Sequence, residues 1–162
     1  MSQTNTSASA LLLCQREVKS AIHDTFGMFL GEAPTEIPTQ KSEQSEEAIL
    51  GMLSFSGEWD WSLTIGFSRS SAASFATLFA GFEIEFDSAD MGDAIGEVAN
   101  VLAGDIRAKL EAKGDECSFG LPSIIRGTTT QSSSPQGVDS TTLTYLFEDQ
   151  PFWVELLIET DD

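Results

Sequence analysis

Two side chains stand out for their chemistry and spacing: Glu97 and Asn100, three positions apart in a run whose apolar residues recur with a helical period. At about 100° per residue, Met91, Ile95, Val98, Leu102 and Ile106 fall in one stripe, with Leu110 at its edge. The opposite side collects Asp93, Glu97, Asn100, Gly104, Arg107 and Glu111. Residues three apart on a helix are surface neighbours, so the acid and the amide share one water-facing patch. A carboxamide donates and accepts hydrogen bonds without titrating. An exposed carboxylate, with a pKa near about 4, is a weak base at neutral pH. The pair is therefore suited to positioning rather than to proton transfer. Gly104 lies a turn beyond on the same side. A mid-helix glycine costs about 1 kcal/mol relative to alanine, and one physical reason to keep it is the close approach of something large. By itself a Glu-x-x-Asn pair on a wet helix is ordinary.

Other chemistries are poorly served. His23 is the single histidine, which disfavours a His-based metal site or triad, and Cys14 and Cys117 are too few for a disulfide framework or zinc site. Nothing near the serines at 132–134 resembles a base. The chain holds 26 acidic residues against 8 basic, a net charge of −18. Such a surface repels phosphate backbones and anionic membranes, so neither nucleic acid nor membrane is an expected partner. No apolar run approaches the roughly 18 residues of a membrane span. The opening segment lacks the positive region of a signal peptide, so a cytoplasmic location is expected.

Elements that could hold the pair follow from periodicity. At 162 residues with 41% hydrophobic content, one domain can build its own core. Residues 1–8 are polar and expected to be disordered, and 9–162 to form a single domain. A helix is expected over 9–30 through Leu11, Val18, Ile22, Phe26 and Phe29, closed by Gly31. A long connection over 32–47 precedes a hairpin. Its strands are 49–55 and 59–67, joined at Ser56-Gly57, with Trp59 and Trp61 among the buried, alternating residues. Ser68 or Ser70 caps a short helix bearing Phe75, Leu78 and Phe79 and ended by Gly81. The helix with Glu97 and Asn100 runs from near Asp87-Ser88 to about Ala112, with Gly114 after it. A strand over 116–121, Pro122, a mobile Gly/Ser/Thr-rich loop over 126–137, and strands over 141–147 and 152–158 complete the chain. Met28, Met52 and Met91 read as packing residues, and Arg107 and Lys109 as members of helix-surface ion pairs. The fold class is α+β, a mainly antiparallel sheet with the long helix and two further helices packed on it.

The spacing around the pair is more specific than the pair. Asp93, three residues, Glu97, two residues, Asn100, twenty-one residues, Pro122 resembles the signature of the CheX/CheC/FliY chemotaxis phosphatases. The text IGEVANVLAGDIRAKL followed by LPSIIRG resembles CheX, and TFGMFLGEAP resembles the family's opening segment. Family members with two motifs carry one on the first helix. Here that helix offers only Glu17-Val-Lys-Ser20, which lacks the asparagine, so the resemblance is to the single-motif CheX type.

The resemblance implies a CheC/CheX-like fold, a homodimer, and a phosphorylated CheY-like receiver domain as substrate. It implies no cofactor of the chain's own, the receiver supplying Mg²⁺ and a lysine. Hydrolysis of an aspartyl phosphate needs a water held in line with phosphorus and charge neutralised. Asn100 would orient that water. Glu97 would dock on the receiver lysine, with a general-base role as the weaker alternative. Asp93 would add a polar contact, although an acid early in a helix is also favoured by the macrodipole. Gly104 would allow the partner close, and Pro122 would fix the bend after the neighbouring strand. Two other classes compete: a non-catalytic docking module of the same fold in a signalling or flagellar-switch complex, and a small-molecule sensor.

Overall fold

The computed structural model describes residues 3–39, 46–129 and 138–159. Three helices and seven strands follow the order α1 (Gln3–Leu30), β1 (Thr35–Ile37), β2 (Glu46–Gly57), β3 (Trp61–Ser68), α2 (Arg69–Ala80), α3 (Ala89–Ala112), β4 (Cys117–Phe119), β5 (Ser123–Thr129), β6 (Val138–Phe147) and β7 (Gln150–Glu159). The strands form one sheet in the order β1-β6-β7-β3-β2-β4, with β5 also pairing β2. Every pairing is antiparallel, and the α+β class expected from the sequence is the one observed.

Apolar alternation builds the core. Ile49, Leu53 and Phe55 of β2, Leu63, Ile65 and Phe67 of β3, and Phe152, Val154, Leu156 and Ile158 of β7 meet the buried stripe of α3 and Val18, Ile22 and Phe26 of α1. Trp61 stacks on Phe55 at 4.2 Å between centroids, and Phe26 on Phe152 at 4.7 Å. The second face of the hairpin is drier than alternation suggests. Thr64 is buried, and the Trp153 indole lies directly over Gly66, where a Cβ would overlap it.

Several boundaries differ from the expectation. α1 opens at Gln3, so polar residues before Ser9 extend the helix once its packed turns have nucleated it; Met1 and Ser2 lie outside the described residues. The connection over 32–47 contains β1, three residues paired with β6, while 40–45 lie outside the described residues. The hairpin turn falls at 58–60, which moves Trp59 out of β3. Gly57 stays in β2, because β4 runs so close that a Cβ there would strike the Glu116 carbonyl.

The largest difference is β5. Residues 126–129, expected to open a mobile loop, are strand paired with β2; 130–137 lie outside the described residues. Thr128 and Thr129 are β-branched and suit a strand despite the turn-like composition. The closing hairpin turns on Glu148 and Asp149, both at positive φ (49° and 65°), the conformation of a two-residue type I′ turn. Gln150 and Pro151 then belong to β7. Met91 is buried, but Met28, expected to pack, is 75% exposed.

Candidate functional site

The site is built on α3, and both helix ends are held firmly. Ser88 caps the start, its Oγ accepting from the Met91 N–H at 3.3 Å. Arg126, from β5, donates to the Phe86 and Ser88 carbonyls, the latter at 2.6 Å. Arg69 donates to both Asp87 carboxylate oxygens at 3.1 Å and to Glu47 at 2.8 Å, with its guanidinium 4.5 Å from the Phe86 ring. Two of the chain's few cations thus clamp the approach to α3. Neither was singled out in the sequence; their only signal was scarcity of positive charge.

Toward its C-terminus α3 is tied to α1. Lys109 donates to Asp24 at 2.7 Å, and Thr25 donates to Asp105 at 3.3 Å. Hydrogen bonding to the Lys109 ammonium holds the Asp24 carboxyl below its usual range, and Asp24 raises Lys109 in turn. Lys109 also pairs with Asp105 four residues earlier on α3, at 4.0 Å, so the expected helix-surface pair is present and the tie to Asp24 is added to it. Arg107 does pair with Glu111 four residues on, at 3.8 Å, and its guanidinium also lies 5.4 Å from the Phe119 ring.

Beneath, α3 sits close on the sheet. Gly51 of β2 faces it, and a Cβ at that position would come within 3.3 Å of the Ala99 methyl. On one flank Gly96 lies against the segment after β4: a Cβ there would be 3.7 Å from Ile124 Cδ1 and 3.9 Å from Pro122 Cγ. Pro122 occupies the break between β4 and β5 along one edge of β2.

With the helix fixed below and at both ends, its outer ridge is open. Asp93, Glu97 and Asn100 are all exposed. Among the described residues none of these three side chains makes a hydrogen bond or ion pair. Gly104 is on the same ridge, and no atom outside the helix lies within 4 Å of where its Cβ would be. No contact within the described chain demands glycine at 104. The four motif positions and Gly104 are thus on or beside one surface, with Pro122 as the flank. On α1, Glu17 is buried and Ser20 exposed, so that helix presents no comparable pair.

An unpartnered carboxylate and carboxamide on a rigid convex ridge can enter a cavity of another molecule, and neither needs to break an internal contact first. Among the described residues no three metal-ligating side chains converge, and no helix is long and apolar enough to cross a membrane.

Comparison with known proteins follows the same lines. Residues 49–146 match the family model for the chemotaxis phosphatase CheX. No curated protein matches the chain. Among solved structures, a CheC-like superfamily protein from Shewanella superposes with a TM-score of 0.77 at 14% identity, over 90% of this chain and 97% of that one. Chemotaxis protein CheX from Vibrio vulnificus gives 0.74 at 14% identity, over 88% and 97%. The CheX-CheY-BeF3-Mg²⁺ complex from Borrelia burgdorferi gives 0.66 at 18% identity, over 89% and 96%.

Proposed function

Because the chain belongs to the CheX chemotaxis phosphatase family, we propose that it hydrolyses the aspartyl phosphate of a CheY-like receiver domain, with Asn100 orienting the attacking water. The observation that carries this reading is the exposure of Glu97 and Asn100 as unpartnered neighbours on the outer ridge of α3. The Borrelia burgdorferi relative, whose structure is a complex with CheY, BeF3 and Mg²⁺, supports the choice of partner.

In this reading the ridge enters the receiver's phosphorylated pocket. The water donates a hydrogen bond to Asn100 Oδ1, while Nδ2–H donates to a phosphoryl oxygen. That fixes the water in line with phosphorus. The oxygen–phosphorus bond of the water forms as the bond to the aspartyl oxygen breaks, releasing inorganic phosphate and a free carboxylate. The acyl phosphate has a good leaving group, so positioning and charge neutralisation suffice. Receiver-bound Mg²⁺ and a receiver lysine neutralise charge. Glu97 pairs with that lysine and sets the register of the ridge, while Asp93 adds a polar contact at its upper end.

The chain is proposed to act as a homodimer. Support comes from the sheet, where Leu50, Met52 and Leu157 are half-buried outside the core and Ile125 is 42% exposed.

The test is dephosphorylation of a phosphorylated receiver from the same genome in Mg²⁺. Asn100→Ala should lower the turnover about a hundredfold or more, the cost of removing one positioned donor. Glu97→Ala should act chiefly on receiver binding. Both sites are exposed, so unfolding free energies should stay within about 0.5 kcal/mol of the parent. A parent protein that leaves the receiver's own decay rate unchanged refutes the reading.

A further inference from the structure

Among the described residues Leu121 is the most exposed large apolar side chain, at 90%. It stands beside the polar ridge, in the segment that joins β4 to β5. Two contacts pin that segment onto α3. Phe119 lies under the Arg107 guanidinium at 5.4 Å, and Pro122 lies against Gly96. The segment therefore runs along the helix from the level of Arg107 toward Gly96, and the turn carrying Asn100 lies between the pins. Side chains on a helix lean toward its N-terminus, which brings Arg107 back over that stretch. Pro122 has a fixed φ, and its neighbours on α3 hold it in place. Leu121, one residue earlier, projects into solvent from a backbone anchored on both sides, on the flank of α3 between the contacts at Arg107 and Gly96. Gly120 adds no side chain to screen it, and no atom lies within 4 Å of its Cβ position.

A leucine held rigidly in water contributes nothing to this chain's own core. Beside an otherwise polar ridge it can contribute to docking. Apolar burial supplies affinity without directionality, whereas the acid and the amide supply register. Gly104, open on the same ridge, leaves room for the docked body to settle close. Building on the phosphatase reading, we propose that Leu121 is the apolar anchor for the receiver domain: whatever receives Glu97 and Asn100 also buries Leu121 against an apolar patch at the rim of its phosphorylated pocket.

The measurement is steady-state dephosphorylation paired with equilibrium binding to the same receiver carrying beryllofluoride and Mg²⁺. Leu121→Ala should raise KM and the binding Kd about tenfold, the loss of part of one buried leucine, while kcat stays within twofold. Leu121→Asp should weaken binding further, and Leu121→Met, which keeps the volume and apolarity, should restore it. Leu12→Ala, which removes a leucine 66% exposed on α1, should leave both constants unchanged. Unaltered KM and Kd in Leu121→Ala and Leu121→Asp would overturn the anchor while leaving the phosphatase reading intact. Receiver binding that depends on Leu121 without any acceleration of dephosphorylation would keep the anchor and overturn the phosphatase reading. No binding of the receiver by the parent protein would overturn both.

Discussion

Pro122 lies against the backbone of Gly96, its ring Cγ 3.9 Å from the point where a Cβ at 96 would stand. That separation is ordinary van der Waals contact, so a methyl group fits there. At Gly104, on the outer ridge, a methyl would meet nothing outside the helix. Gly96→Ala and Gly104→Ala should therefore each stabilise the fold, by up to about 1 kcal/mol on helix propensity. Their functional effects should part. Gly96→Ala adds a methyl against this chain's own proline and should leave the receiver KM within twofold. Gly104→Ala adds it to the docking ridge and should raise KM severalfold. Urea unfolding and steady-state kinetics on the two variants check this. Equal kinetic effects would remove the reason given for glycine at 104.

A half-buried acid on the sheet gives a pH signature. Glu155 of β7 is paired across the strands with Thr64 and Thr142, and burial pushes its carboxyl above the usual range. Folding then binds a proton more readily than the unfolded chain does, so the ionised form destabilises the native state. That cost is fully present above the raised folded pKa. It falls as pH drops through it, and is absent below the unfolded value near about 4. Glu155→Gln should accordingly be more stable than the parent at pH 7, with the gap closing on acidification. Denaturant midpoints measured across that range report it. A gap that widens toward acid pH would contradict the assignment.

The two thiols should differ in reactivity. Burial of Cys14 in the core, with smaller contributions from Cys117 and Asp115, pushes its thiol up to about 12. Cys117, at the start of β4, is only half-buried, and its thiol is raised chiefly by burial, then by Glu111. The thiolate is the reactive form. A disulfide reagent at pH 8 should modify Cys117 slowly and leave Cys14 untouched until the protein unfolds. Peptide mapping after graded exposure distinguishes the two, and early labelling of Cys14 would mean that α1 opens readily.

Legibility in the sequence followed the strength of local signals. Ser68, one of two serines expected to, and Gly81 cap α2, and α3 opens at Ser88 where its start was expected, because cap chemistry is local. The stripe through Met91, Ile95, Val98, Leu102 and Ile106 is buried throughout, and its period alone placed Glu97 and Asn100 outside. Long-range pairings were hidden. β1 has three residues and no alternation of its own, and β5 begins after Pro122 in a stretch with the composition of a loop. Both exist because β6 and β2 offer them an edge. Arg126 and Lys109 were similarly opaque: each serves a partner forty or more positions away, Arg126 at Phe86 and Lys109 at Asp24. Leu121 was lost for a related reason. Its exposure depends on where Phe119 and Pro122 are pinned, and a leucine next to a proline has no signature of that.

Charge sets the last expectation. With 26 acidic and 8 basic residues, the chain carries a net −18. Much of the positive charge described above is engaged internally: Arg69 with Glu47 and Asp87, Lys109 with Asp24, and Lys19 with Glu36 at 2.9 Å. The approaching surface is therefore dominated by unpaired carboxylates, including Asp93 and Glu97 on the ridge itself. Toward a receiver that is itself acidic, long-range electrostatics oppose encounter, and added salt screens this repulsion once the Debye length falls to about 10 Å at 0.1 M. The proposed contact of Glu97 with a receiver lysine would be short-range and buried on docking, so salt should weaken it less. Association measured by stopped flow should accelerate between low salt and about 0.2 M, with dissociation little changed. A rate that drops steeply over that interval would mean that a basic surface on the receiver steers the encounter, and Glu97 would then be one of several charges guiding approach rather than a register contact made after it.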